Sequence, residues 1–268
     1  MSEKKCSIFY AKNLSDLFYQ MKTISNLKIV GACTGLTEMP ERCISTVLIK
    51  DFNRIQKHER FIEFGSGTPL SSILNLGEKN LPQLLPEAID SVANPFVRNI
   101  ATIAGNIFNT PQKGTLYGPL LALDAYLELK SPSETKYVPL LNFSKIPEGF
   151  VLTNIRIPIN DWDVSIFKRV GPENTLSDDS ASFSFLADSE KSVINNIKIS
   201  LSGKITFRCQ ELENKMLGLR LPLPSSEIGT YAEEAVLKFD KVAQKTEYNP
   251  VLRQQFKNLI LYSFEQLI

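Results

Sequence analysis

Pro95-Phe96-Val97-Arg98-Asn99-Ile100-Ala101-Thr102-Ile103-Ala104-Gly105-Asn106-Ile107 is the stretch on which the fold turns. Its apolar residues keep neither the alternation of a half-buried strand nor the wider spacing of an amphipathic helix. Its second half is small. Thr102, Ala104 and Gly105 let consecutive backbone N–H groups approach an anion closely, and Thr102 and Asn106 add side-chain donors. An earlier stretch, Gly31-Ala32-Cys33-Thr34-Gly35-Leu36, has the same character. It runs on from Leu27-Lys28-Ile29-Val30, a short buried-strand pattern, and Thr34 supplies another hydroxyl. Neither stretch is G-x-x-x-x-G-K-[ST], nor G-x-G-x-x-G opening a helix, so the standard P-loop and the Rossmann fingerprint are absent. By local spacing alone, both stretches read as tight turns in a packed domain.

Outward from these loops, strands and helices alternate. Asn13 is placed to cap a helix carrying Leu14, Leu17, Phe18 and Met21 on one face. A second strand is expected at Thr46-Val47-Leu48-Ile49, and a third at Phe61–Phe64, ending in Gly65-Ser66-Gly67-Thr68-Pro69. Pro69 to Leu76 reads as a short helix. Leu120 to Ala125 reads as a buried helix and Tyr126–Leu129 as a strand. Pro158-Ile159-Asn160-Asp161 marks a boundary. Beyond it, Ser182–Leu186 and Ile197–Leu201 alternate as half-buried strands. Glu211–Leu217, Tyr231–Ala243 and a last segment with Leu252, Phe256, Leu259, Ile260 and Leu267 on one face read as helices. Strands followed by helices predict an α+β domain at the C-terminal end.

Composition narrows the function. At 268 residues the chain has room for one large domain or two modest ones. Hydrophobic residues at 43% and charged residues at 22% exclude wholesale disorder. A net charge of +1 predicts no electropositive field, hence no nucleic-acid partner. Apolar runs fall short of a membrane span, and the first residues lack a secretory h-region, so no membrane and a cytoplasmic, thiol-reducing location are expected. The four cysteines (Cys6, Cys33, Cys43 and Cys209) form no C-x-x-C pair, and His58 is the lone histidine. No metal site is therefore expected, and His58 in the charged run Lys57–Arg60 reads as a solvated face.

Taken in order, these segments resemble the FAD-binding medium subunit of the molybdenum hydroxylases, the xanthine dehydrogenase and carbon monoxide dehydrogenase type. Gly31-Ala32-Cys33-Thr34-Gly35-Leu36 is similar to that family's A-G-G-T-D-L loop. Arg98 to Asn106 is similar to its R-N-x-A-T-x-G-G-N signature. Phe61–Thr68 resembles its I-G-A-G stretch, and Leu152-Thr153-Asn154-Ile155-Arg156-Ile157-Pro158 its L-x-x-I-x-I-P. Phe167-Lys168-Arg169 and Asp178-Asp179-Ser180-Ala181 resemble the start of its C-terminal domain.

The resemblance implies an α+β protein. A two-lobed FAD-binding domain of the UDP-N-acetylmuramate dehydrogenase-like (PCMH) type would occupy residues 1–160, with lobes at about 1–55 and 56–160. A C-terminal α+β domain would occupy residues 161–268. It implies FAD, with the diphosphate between Gly31, Ala32, Cys33, Thr34, Gly35 and Leu36 on one side and Thr102, Ala104, Gly105 and Asn106 on the other. Thr115 falls where the family often carries an aspartate to the cofactor; Leu152 and Lys168 match positions beside the flavin or adenine. Lys168 reads equally as a surface lysine. The partners implied are a molybdopterin-containing large subunit and a [2Fe–2S] small subunit. Electrons would pass through FAD to NAD or another acceptor, and no side chain of this chain need act as catalyst. Alternatives are a non-catalytic subunit that has lost FAD and a stand-alone flavin oxidoreductase. Ala32, Cys33 and Ala104 stand where the family has glycine, so a positive φ at any of them would carry a Cβ penalty of roughly 1 kcal/mol or more.

Overall fold

In the computed structural model, residues 6–108, 112–172 and 175–267 are described. Two compact units emerge, and each is assembled from separated stretches: Met1–Asn80, Asn94–Asn109 and Asp124–Ile159 in the first, Leu81–Ala93, Thr110–Leu123 and Asn160–Ile268 in the second.

The first unit holds two sheets. β1 (Ser7–Tyr10), β2 (Lys28–Val30) and β3 (Arg42–Ser45) form a parallel sheet in the order β1-β3-β2. The helix Leu14–Thr23 joins β1 to β2, and the Asn13 side chain caps it by accepting from the Asp16 N–H at 2.8 Å. Its inward Leu17 packs with Ala11, Ile44, Ile49, Phe52 and Val151 in a small core. Thr46–Ile49 is a turn rather than a strand. Thr46 N–H donates to the Val30 carbonyl at 3.1 Å and Ile49 N–H to the Thr46 carbonyl at 2.9 Å. The laddered residues are the four before it, and Val47 and Leu48 are exposed despite their apolar side chains.

The second sheet of this unit comprises β4 (Ile55–Lys57), β5 (Phe61–Gly65), β6 (Tyr126–Lys130), β7 (Thr135–Pro139) and β8 (Val151–Pro158). They are ordered β4-β5-β8-β6-β7, with every neighbouring pair antiparallel. At the end of β5 the chain folds hard against Phe52. Gly67 N–H donates to the Phe52 carbonyl at 2.8 Å, and a Cβ on Gly65 would collide with that same oxygen. Only glycine at 65 lets the two backbones approach so closely.

The second unit is built on β9 (Val164–Val170), β10 (Ala181–Glu190), β11 (Val193–Gly203) and β12 (Phe207–Arg208), antiparallel in the order β12-β11-β10-β9. Phe183 and Phe185 meet Phe256 and Phe264 of the helix Pro250–Glu265 edge-on, with ring centroids 6.2 and 5.8 Å apart. Such pairs add to the burial of the rings themselves. The helix Ser225–Ala243 contributes Phe239 to the same core, and begins earlier than the Tyr231 expected from periodicity. The serine face of these strands is buried as well, against expectation. Ser182 and Ser202 hydroxyls lie 2.9 Å apart, and Ser200 Oγ donates to the Gly118 carbonyl at 2.8 Å. The helix Tyr117–Ala122 covers this face, so small side chains here serve close packing. Among the described residues, no helix is long and apolar enough to cross a membrane.

Candidate functional site

The first loop starts where β2 stops, at Val30, on the edge where all three parallel strands end. Ligands of parallel sheets gather at such carboxyl ends. The segment is a loop, as expected, and every residue from Gly31 to Leu36 is exposed or half-exposed. Leu36 N–H donates back to the Cys33 carbonyl at 3.3 Å. The backbone N–H groups of Ala32, Cys33, Thr34 and Gly35 have no acceptor among the described residues. Cys33 carries the strain: its φ is +60°, a left-handed conformation that costs a Cβ-bearing residue. Ala32 and Ala104 have no positive φ, so of the three non-glycine positions only Cys33 bears this penalty.

The second loop is partly helix. Ile103–Ile107 form a short helix, and Thr102 is its N-cap, its hydroxyl accepting from the Gly105 N–H at 3.1 Å. Asn106 N–H donates to the Thr102 carbonyl, and Ile103 N–H to the Thr68 carbonyl at 3.2 Å. Ala104 N–H completes the set, reaching the Ser66 carbonyl at 3.4 Å. The expectation that both loops present unengaged amides therefore fails for 103–106. What this segment leaves over is the Thr102 N–H and a hydroxyl hydrogen: Thr102 Oγ1 accepts, and neither its own hydrogen nor the Thr102 N–H has an acceptor among the described residues.

The two segments meet. A Cβ on Gly31 would stand 3.7 Å from Thr102 Oγ1 and 3.9 Å from Thr102 Cγ2. Behind them, Thr68 Oγ1 is buried without a hydrogen-bond partner, on the residue whose carbonyl receives Ile103. An FAD diphosphate needs several donors and little steric bulk. Open amides on small residues, a hydroxyl facing them and an orphaned buried hydroxyl suit that chemistry.

Leu152 is buried on β8, next to Thr153, whose carbonyl accepts from Ser66 N–H at 2.9 Å. Thus β8 supports Ser66, and Ser66 supports Ala104. Thr115 and Lys168 belong to the second unit. Thr115 is buried. Lys168 is exposed on β9, 3.9 Å from the Glu87 carboxylate. Sequence reading missed Ser66, Thr68, Thr153 and Glu128. The Glu128 carboxyl is drawn upward by burial, yet hydrogen bonds from Thr153, Tyr137, Lys130 and Asn154 outweigh this and hold it at about 2. It therefore stays ionised and fixes Thr153 in place. A carboxylate between apolar residues of a strand, Leu127-Glu128-Leu129, is the signal that would have found it. Among the described residues, no group of three or more His, Cys, Asp or Glu side chains could hold a metal ion.

Residues 4–160 match the family model for the FAD binding domain in molybdopterin dehydrogenase. That is more than half of the chain, which therefore belongs to this family, the FAD-binding subunits of the molybdenum hydroxylases. It is 34% identical over 88 residues to the xanthine dehydrogenase FAD-binding subunit of Escherichia coli O157:H7, covering 32% of this chain and 30% of that one. It is 28% identical over 213 residues to the 6-hydroxypseudooxynicotine dehydrogenase complex subunit alpha of Paenarthrobacter nicotinovorans, covering 73% and 71%. The chain thus spans under a third of the Escherichia coli subunit and about seven-tenths of the other. In fold it is similar to carbon monoxide dehydrogenase from Hydrogenophaga pseudoflava, with a TM-score of 0.79 at 18% identity over 98% of this chain and 95% of that one. The protein is an FAD-binding subunit of α+β architecture.

Proposed function

We propose that this chain is the electron-transfer subunit of a cytoplasmic molybdenum hydroxylase complex of the xanthine dehydrogenase type, partnered by a molybdopterin-containing large subunit and a [2Fe–2S] small subunit. Its FAD-binding domain is residues 1–160 and its C-terminal domain residues 161–268. Bound flavin supplies the redox chemistry linking the [2Fe–2S] centre to NAD or another acceptor. The chain's own residues bind and orient. Gly31 to Leu36 bring backbone donors to the diphosphate, and Thr102 adds its hydroxyl. Ala104, Gly105 and Asn106 form the facing wall. Thr115, Leu152 and Lys168 are assigned to the rest of the cofactor. The approach of Gly31 to Thr102 beside unengaged amides carries this reading. The complex is supported by the relative named as a dehydrogenase complex subunit.

The test is flavin content. A Cβ on Gly105 would stand 3.1 Å from Thr102 Oγ1, so Gly105→Val crowds the hydroxyl and the wall together. Purified protein reconstituted with FAD should bind one flavin per chain, and folded Gly105→Val should bind at least tenfold more weakly, about 1.4 kcal/mol. Undiminished flavin in the folded variant overturns the site.

A further inference from the structure

Two of the four cysteines share one face of the parallel sheet. Cys43 on β3 lies opposite Ile8 of β1 and is fully buried. Cys6 immediately precedes β1 and is exposed. Alternation along the paired strands puts Cys6, Ile8 and Cys43 on the same face. Cys6 stands two residues before Ile8, the partner of Cys43, which makes it the diagonal neighbour of Cys43 on that face, and Cys6 Sγ donates to the Pro40 carbonyl at 3.0 Å. Cys33 lies in the loop after β2, its own Sγ facing the Gly31 carbonyl at 3.6 Å. All are free thiols, and their sulfurs do not form a metal-holding set.

We propose that Cys6 and Cys43 form a redox-active dithiol, a modification site for small diffusible disulfides such as glutathione disulfide. It stands independently of the flavin reading. The asymmetry of exposure sets the order of events. The Cys6 thiolate attacks one sulfur of the small disulfide; that S–S bond breaks, a mixed disulfide forms on Cys6, and a thiolate leaves with the proton Cys6 gave up. Cys43 then loses its proton to water and attacks Cys6 Sγ. The Cys6–Cys43 bond forms, and the second small thiolate leaves and is protonated. Two electrons pass from the protein to the small disulfide, which ends as two thiols. Burial raises the Cys43 thiol above its usual range. Cys43 therefore serves as the resolving rather than the attacking thiol. Cys6 lies outside the β1 ladder, so it is the partner able to shift toward the Cα separation a disulfide needs.

The full chain, incubated with glutathione disulfide, alkylated and digested without reduction, should yield mainly a Cys6–Cys43 linked peptide that dithiothreitol releases. Cys33 should remain alkylated. In Cys6→Ser, an exposed change that spares the fold, Cys43 should stay a free thiol. In Cys43→Ala the reaction should halt at the mixed disulfide on Cys6. Wild-type protein that stops at that mixed disulfide, links Cys6 to Cys33 instead, or cross-links only in denaturant overturns the proposal.

Discussion

Residues 31–36 and 102–106 have the same kind of sequence and fold in opposite ways. After β2 the backbone leaves its ladder, and four consecutive amides find no acceptor among the described residues. At 102–106 the backbone N–H groups of Ile103, Ala104, Gly105 and Asn106 are all engaged, by Thr68, Ser66 and Thr102. Small side chains permit close approach in both places. Whether the amides remain available depends on what lies upstream: a threonine three residues before Gly105, and a glycine-tight turn that brings Ser66 and Thr68 alongside. One segment is thus an open set of donors carrying strain at Cys33. The other is a rigid wall held by the rest of its unit.

Breaking the wall should have the largest effect. Gly65→Ala forces the turn away from the Phe52 carbonyl and withdraws Ser66 from Ala104. The expected loss is on the order of 3 kcal/mol, read as a lower urea midpoint; an unchanged midpoint would show that the turn yields without strain. Thr102→Val removes the helix cap, a loss of about 1 kcal/mol, together with the hydroxyl that faces Gly31. FAD affinity measured by flavin fluorescence should fall with it, and Thr102→Ser should restore both. The open loop predicts the smallest change, in the opposite direction. Cys33→Gly relieves the positive φ and should raise stability by about 0.5–1 kcal/mol. A destabilised Cys33→Gly protein would mean that the thiol's own contacts outweigh the backbone strain.

Much of this was legible. Leu27–Val30 followed by small residues located β2 and the open loop, and Asn13 before an apolar face located the first helix. The order of motifs pointed to the family. The rest was hidden for physical reasons. Ile103–Ile107 is a single turn and a half, too short for any period to develop, and its N-cap is followed at the third position by glycine rather than the Glu or Gln of a capping box. Thr46–Ile49 misled because an exposed turn there carries apolar side chains. Alternating serine and phenylalanine in β10 implied one wet face, but Gly118 brings a helix against the serines. Ser66 and Thr68 acquire their roles only through contacts distant in sequence.

The interleaving of the two units bears on biogenesis. Residues 81–93 and 110–123 leave the ribosome long before residues 160–268, the bulk of the unit to which they belong. They carry Leu84, Leu85, Ile89, Leu116, Leu120 and Leu121, all buried in the finished protein. A nascent chain that has emerged only as far as β8 therefore displays two greasy excursions with no completed core to receive them. Chaperone capture during synthesis, and aggregation of any fragment cut near residue 160, follow from that architecture.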